Sequence, residues 1–345
     1  MTLADSYAAE VAKVRWRMRV LAVGGNGFIG SHVVDALVAA GVDVSVLDVA
    51  DERYRAPLPD VRYIRGSLAD QLTIENALST GIDVVIHLAG STLPQTSMDS
   101  PVADVQNLLN SITLFQLCAT YKVKKVIFIS SGGTVYGRAK RLPVSEGDST
   151  DPLCSYGIIK LAIEKYLFCY SRLYGFDAVV LRLANPYGIR QSPQGQQGAV
   201  PIFMWKILHG EPISMWGDGS TIRDFMHVKD AARLCMLATL SECSGVFNVG
   251  SGHGISVADL ISLISRTLNR RVEIVRQPAR KFDVPAIVLD CMRANRCFDW
   301  QPQIVLSEGL KEVAEWLIWL SSSSSLEVRA VAGANGYNQN VRGGA

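Results

Sequence analysis

Between Arg19 and Asp48 the chain reads as a short apolar strand, a glycine-rich turn, a helical run and a second strand ending in an acid. The turn is Gly24-Gly25-Asn26-Gly27-Phe28-Ile29-Gly30, and the second strand closes with Val44-Ser45-Val46-Leu47-Asp48. No other stretch constrains the fold as strongly. Gly24 allows a tight turn, Gly27 lets the backbone approach a phosphate, and Gly30 lets a helix pack close to a strand. A pyrophosphate can then lie against the first N–H groups of the helix, where the dipole favours an anion. A lone glycine pattern carries little weight. Here the strand before, the helix after and the acid on the next strand supply its required context. Asp48 would accept both ribose hydroxyls of an adenosine and repel a 2′-phosphate. Val49 and Ala50 follow it rather than an arginine, so the pattern favours NAD over NADP.

Strand and helix patterns then alternate. Strands are predicted at Arg19–Val23, Val42–Leu47, Val61–Ile64, Asp83–Leu88, Lys125–Ser130 and Ala178–Leu183, and helices at Phe28–Ala40, Leu72–Leu78, Ala103–Tyr121 and Tyr156–Tyr174. Strands apolar on both faces, separated by helices, imply an α/β, Rossmann-type, doubly wound parallel sheet. The pattern breaks after Pro186, where Gly, Pro and Gln cluster at 192–198 and mark a loop. A helix follows at Pro201–His209. The expected organisation is a leader over 1–18, a nucleotide-binding domain over 19–185 with returns near 225–250, and a smaller, discontinuous substrate lobe from 186–224 and 251–320. A serine run opens a tail over 321–345, too polar to bury much and expected to be disordered. The last apolar stretch, Ala314–Leu320, is too short to span a bilayer and reads as the inner face of a helix begun near Ser307.

Composition excludes several classes of function. The net charge is +2, with acids and bases mixed, so no basic field points to nucleic acid or a membrane surface. Seven cysteines are scattered without a CxxC or a Cys/His cluster. That argues against a metal site and for reduced thiols in a cytoplasmic protein. No apolar leader follows Met1, so no secretory signal is expected.

The chemistry resides in Ser155-Tyr156-Gly157-Ile158-Ile159-Lys160. Tyr156 and Lys160 are four residues apart and share one helix face. A phenol is a poor base at neutral pH, but a neighbouring ammonium and a helix N-terminus both stabilise its anion. Such a tyrosine can take a proton from a substrate hydroxyl while a hydride leaves the same carbon for NAD.

These residues, with His87-Leu88-Ala89-Gly90, Ser130-Ser131-Gly132-Gly133-Thr134-Val135-Tyr136-Gly137, Asn185-Pro186-Tyr187-Gly188 and Arg223-Asp224-Phe225-Met226-His227-Val228, resemble the extended short-chain dehydrogenases/reductases. Within that group the chain is similar to the NAD-dependent nucleotide-sugar epimerases and dehydratases, UDP-glucose 4-epimerases above all. The resemblance spans roughly residues 19 to 318. It implies that Gly24, Gly27, Phe28, Ile29 and Gly30 hold the pyrophosphate and Asp48 the ribose. Ser67, where the family usually has Asp, and Leu68 would meet the adenine. Leu88, Ala89, Gly90, Asn107 and Ser130 would line the cofactor, and Lys160 would also reach the nicotinamide ribose. Asn107 also reads as a helix-surface amide. On the substrate side, Asn185, Arg223 and Arg280 would hold the diphosphate of a UDP-sugar, and two guanidinium forks suit such a group. Asp283 would hold the uridine ribose, and Ser214 and Trp216 the uracil. Trp216 reads equally as a core aromatic. Ile287 stands at a family gate position beside the hexose, where its volume leaves both plain and N-acetyl hexoses open.

The chain departs from the family where the catalytic hydroxyl usually sits, because that position is Gly132. Ser131 or Thr134 would have to supply the hydroxyl, and strand alternation, placing 132 and 134 on one side, favours Thr134. The carboxylates that dehydratases and decarboxylases carry at 133–134 are missing, which argues against elimination. A 4-epimerase working through a 4-keto sugar is therefore expected. A UDP-uronate epimerase or 4,6-dehydratase, and a non-catalytic NAD-binding sensor, are the alternatives. The helices after the fourth and fifth strands imply, by resemblance, a homodimer.

Overall fold

The computed structural model describes residues 18–92, 97–195, 197–279 and 284–322. The leader expected over 1–18 therefore lies outside it except for Met18. Seven parallel strands form the central sheet: β1 (Arg19–Val23), β2 (Asp43–Asp48), β3 (Val61–Arg65), β4 (Val84–His87), β5 (Lys125–Ser131), β6 (Asp177–Leu183) and β10 (Gly245–Val249). Their spatial order is β10-β6-β5-β4-β1-β2-β3. In β1 successive side chains enter opposite cores. Val20 and Ala22 join one cluster with Val33, Leu37 and Leu234, while Leu21 and Val23 join another with Leu78, Phe115 and Leu167. That period of two, apolar on both sides, is what forces helices onto both faces.

Helix α1 (Phe28–Ala39) covers the first face, joined later by α6 (Val228–Leu240). Helices α2 (Gln71–Leu78), α3 (Pro101–Thr120) and α4 (Ser155–Tyr174) cover the second. Capping explains several ends. Asp70 accepts the N–H groups of Leu72 and Thr73 at the start of α2, and Gly175 closes α4 in the left-handed conformation. Because β1 pairs with both β2 and β4, the strand order reverses there, and a crevice opens at the C-terminal edge beside the glycine turn.

After β6 the chain crosses to a second lobe. This holds β7 (Asn185–Tyr187), α5 (Ala199–Leu208), β8 (Ile213–Trp216) and β9 (Ile222–His227). After α6 and β10 come β11 (Gly254–Ser256), α7 (Val257–Leu268), β12 (Ile274–Gln277), α8 (Met292–Phe298) and α9 (Leu306–Ser322). A separate core of Met204, Ile207, Met215, Leu260, Ile264, Leu310, Val313 and Leu317 holds α5, α7 and α9 together, while Ala294 and Phe298 of α8 pack on the first lobe. Helix α9 continues through Ser322, so the last helix extends into the first two residues of the expected tail. The rest of that tail lies outside the described residues. No helix among those described is long and apolar enough to cross a membrane.

One sequence expectation is corrected. Cys243 and Cys297 form a disulfide across 54 residues, joining the turn before β10 to α8. The expectation of wholly reduced thiols rested on spacing along the chain. The fold brings together two positions whose spacing carries no motif. The other five cysteines are free.

Candidate active site

The glycine turn is built by close approach. Gly24 has φ +84°, and a Cβ there would stand 2.7 Å from the Ala89 nitrogen, so neither the conformation nor the space admits a side chain. A Cβ on Gly30 would strike the Gly24 carbonyl oxygen and the Gly25 backbone, so the helix can press onto the turn only as glycine. Gly27 differs: a Cβ there would meet nothing nearer than the Gly24 oxygen at 3.4 Å. That open side faces the start of α1, where no side chain caps the helix and no acid stands in the first turn. The first-turn N–H groups fit a pyrophosphate.

Asp48 at the end of β2 clamps the same turn. Its carboxylate accepts the Asn26 N–H at 3.0 Å and the Ala50 N–H at 3.0 Å, and the Asn26 amide donates to the Ala50 oxygen at 2.7 Å. Each oxygen keeps a lone pair for a ribose hydroxyl. Beyond β3, the Ser67 hydroxyl accepts the Ala69 N–H at 3.1 Å, which commits one of its lone pairs, and Leu68 lies half-buried beside it. Leu88, Ala89 and Gly90 follow β4 at the crevice edge, and the Leu88 N–H is tied to the Val23 oxygen. Asn107 on α3 braces this loop. Its amide oxygen accepts Ser91 Oγ at 2.9 Å and its amide nitrogen donates to Thr92 Oγ1 at 3.1 Å.

Tyr156 lies in the first turn of α4, and Lys160 one turn later. Lys160 Nζ donates to the Ile129 oxygen at 2.9 Å and stands 4.7 Å from the Phe128 ring centre and 5.6 Å from that of Tyr156. Burial pulls the lysine down to about 8, with Glu164 working in the opposite direction. Burial also pushes the phenol of Tyr156 well above its usual range, and the neighbouring Cys154 and Asp104 act in the same direction. A neutral phenol therefore stands beside a lysine that titrates near 8. Any positive charge arriving next to the phenol lowers its pKa.

The turn after β5 corrects another expectation. The strand ends at Ser131, whose oxygen accepts the N–H groups of Thr134 and Val135. Residues 132–136 form a turn, so strand alternation does not decide where their side chains lie. The consecutive glycines at 132 and 133, poor in strand propensity, are the sequence signal for that turn. Thr134 Oγ1 is nevertheless buried and has no hydrogen-bond partner among the described residues. The Ser130 hydroxyl points elsewhere, donating to Glu164 at 2.5 Å.

Sequence reading overlooked the network behind the dyad. Glu164 and Arg182 form a buried ion pair at 2.6 Å. Arg182 also donates to the Tyr136 hydroxyl at 2.9 Å, and that hydroxyl donates to Asn248 at 2.6 Å. The available signal was periodicity, since Glu164 follows Tyr156 and Lys160 at the same four-residue spacing.

On the second lobe, Asn185 in β7 donates to the Asp224 oxygen at 3.0 Å. Arg223 in β9 donates to the Val284 oxygen at 2.7 Å and the Ile222 oxygen at 2.9 Å. Ser214 and Trp216 share the exposed face of β8, and Trp216, 44 % exposed, is not the core aromatic that the sequence left open. Ile287 is fully buried among Val135, Tyr136, Val144, Ala184 and Leu289. Arg280 and Asp283 lie outside the described residues. Buried Asp224 accepts from Ser251, Gly252 and Leu289, and burial raises its carboxyl against those bonds.

Residues 20–250 match the model of the NAD dependent epimerase/dehydratase family. A putative UDP-glucose 4-epimerase of Methanocaldococcus jannaschii is 35 % identical over 300 residues, 86 % of this chain and 98 % of the relative. Two crystal structures share the fold. The UDP-glucose 4-epimerase of Thermotoga maritima with UDP-glucose has a TM-score of 0.84 at 36 % identity, covering 88 % of this chain and 99 % of that one. The UDP-glucose 4-epimerase of Thermus thermophilus in complex with NAD has a TM-score of 0.82 at 33 % identity, covering 87 % and 99 %.

Proposed function

The chain belongs to the NAD dependent epimerase/dehydratase family, and on that premise we propose that it is a 4-epimerase of a UDP-sugar, UDP-glucose/UDP-galactose first, with their N-acetyl forms admitted. NAD, held by the glycine turn and Asp48, supplies the hydride acceptor and a positive ring. Tyr156 removes the proton of the sugar 4-hydroxyl. Lys160, whose ammonium stands 5.6 Å from the centre of the phenol ring, stabilises the phenolate. Thr134 offers a hydrogen bond to the 4-oxygen. Asn185 and Arg223, with Arg280, hold the diphosphate while the planar 4-keto sugar turns and presents its other face. Asp283, Ser214 and Trp216 hold the uridine.

The observation that carries the reading is the Tyr156–Lys160 face with a Thr134 hydroxyl in the adjoining turn that has no partner among the described residues, and no carboxylate at 133–134. Elimination needs an acid/base pair at those positions, whereas reversible oxidation needs only the phenol. Separate incubation of the purified protein with UDP-glucose, UDP-N-acetylglucosamine and UDP-glucuronate, with products identified by NMR, tests it. Inversion at C4 of one of the first two is expected. A 6-deoxy-4-keto product, or turnover of the glucuronate alone, would displace the assignment.

The same reading includes a homodimer. Val102, Val105 and Leu109 form an exposed apolar stripe on α3, and Ile158, Tyr166 and Leu173 form one on α4. Neither stripe faces the sheet, and pairing with a second copy would bury both. Light scattering of the wild type and of Leu109→Asp tests this. A monomeric wild type would refute it. The cytoplasm is the proposed location, to be checked by cell fractionation.

A further inference from the structure

We propose that Gly132 and Leu289 are a space-complementary pair: Leu289 fills the room that a side chain at position 132 would need, and this assigns the hydrogen-bonding role beside Tyr156 to Thr134. The hydroxyl half of this inference rests on the epimerase reading, and the packing half stands on geometry alone.

A Cβ built on Gly132 would lie 2.5 Å from Leu289 Cδ1, 3.2 Å from its Cδ2 and 3.1 Å from the Arg182 oxygen. The Arg182 oxygen is backbone and cannot withdraw, and the Leu289 methyls, although they end a side chain, have only packed neighbours to move into. The Gly132 N–H is bonded to the Leu183 oxygen at 2.7 Å, which holds the turn against β6. The Leu289 N–H is bonded to Asp224, and the backbone on either side of it is laced to Val144 through Val288 and Asp290. Leu289 is wholly buried among Val135, Tyr136, Val144, Ala184 and Ile287. A serine at 132 would thus place its Cβ between a leucine methyl and a backbone carbonyl, each too close for it.

Thr134 has the opposite surroundings. A Cβ on Gly157 would stand 2.9 Å from the Thr134 oxygen and 3.2 Å from its Cβ. The missing side chain at 157 therefore lets Thr134 lie against the first turn of α4, one residue past Tyr156. Its Oγ1 is buried without a hydrogen-bond partner among the described residues. A buried hydroxyl left unpaired is costly, and an incoming sugar oxygen would relieve it. Leu289 is thus a positioning residue. It lies on the strand-like segment between the substrate-lobe residues and α8, and its size decides which side of the 131–134 turn can present a hydroxyl.

The test is a mutant cycle read in two ways, melting temperature and UDP-glucose kinetics. Gly132→Ser is expected to lower Tm by several degrees, and Leu289→Ala, which lowers Tm in the wild-type background, is expected to lower it much less or to raise it in the Gly132→Ser background. Thr134→Ala is expected to cut kcat about 100-fold with KM within about threefold. The triple variant Thr134→Ala/Gly132→Ser/Leu289→Ala is expected to turn over at least about tenfold faster than Thr134→Ala/Leu289→Ala. Additive Tm effects of Gly132→Ser and Leu289→Ala would overturn the packing pair. A Thr134→Ala enzyme with wild-type kcat, or a triple variant no faster than its double-mutant control, would overturn the hydroxyl assignment. A wild type inactive on every UDP-sugar would remove the epimerase reading and the hydroxyl half with it, and the Tm cycle would still decide the pair.

Discussion

Replacing Lys160 by methionine should make the protein more stable at neutral pH while removing its activity. Burial holds the lysine near 8 against an ordinary value of 10.5. In the unfolded chain the group keeps its proton up to 10.5, and in the fold only up to about 8. Between those values the unfolded state binds more protons, so wild-type stability rises with pH across that window. Below 8 the full cost of burying the ammonium is present, and above 10.5 it is gone. A gap of that size corresponds to about 3 kcal/mol. Methionine removes that cost but also the bond to the Ile129 oxygen and the contacts with the Phe128 and Tyr156 rings, together about 1–2 kcal/mol. The net gain at pH 7 is about 1–2 kcal/mol, which for a chain of this size raises Tm by roughly 2 °C. Urea unfolding of nucleotide-free wild type and Lys160→Met, followed by tryptophan fluorescence from pH 7 to 10.5, measures the difference. The advantage of the variant should shrink through pH 8 to 10 and reverse. A gap that stays constant with pH, or a variant less stable at pH 7, would refute the reasoning.

Other consequences follow from the same geometry. Tyr156→Phe should lower kcat by about 10²–10⁴-fold while NAD binding, read by titration calorimetry, is retained. Glu164→Gln should destabilise the fold by about 3–5 kcal/mol in urea, because Arg182 is left charged and buried. Replacing both partners by methionine should restore most of that loss. Mass spectrometry without reductant should find Cys243 and Cys297 linked, and Cys297→Ser should cost about 2–4 kcal/mol, since the bridge closes a loop of 54 residues.

The parts of the fold that were legible in the sequence are those encoded within a few residues of one another. The glycine turn, Asp48 and the alternation of β1 with α1 are local patterns, and the strand and helix limits fell within two residues of the patterns that announced them. Exposure of Trp216 was open because alternation in a four-residue strand has no sign until the partner sheet is known. Ser214 and Trp216 had to share a face, but which face was solvent depended on α5 and α7 packing behind Met215.

What stayed hidden is contact between distant segments, and it falls where the chemistry is. Glu164 and Arg182 are 18 residues apart, Tyr136 and Asn248 112 apart, and Gly132 meets a leucine 157 residues downstream. Glu164 alone carries a periodic trace, through its spacing from Tyr156 and Lys160, and none of the pairings does, because each joins two elements at a single point. Gly132 shows the consequence most directly. Read alone, it is a missing hydroxyl and a departure from the family. Read with Leu289, it is one side of a filled space, and the loss at 132 becomes intelligible only with the methyl group that occupies it. The departure is therefore a property of two segments together. A serine restored at 132 without trimming Leu289 should damage the turn rather than repair the site.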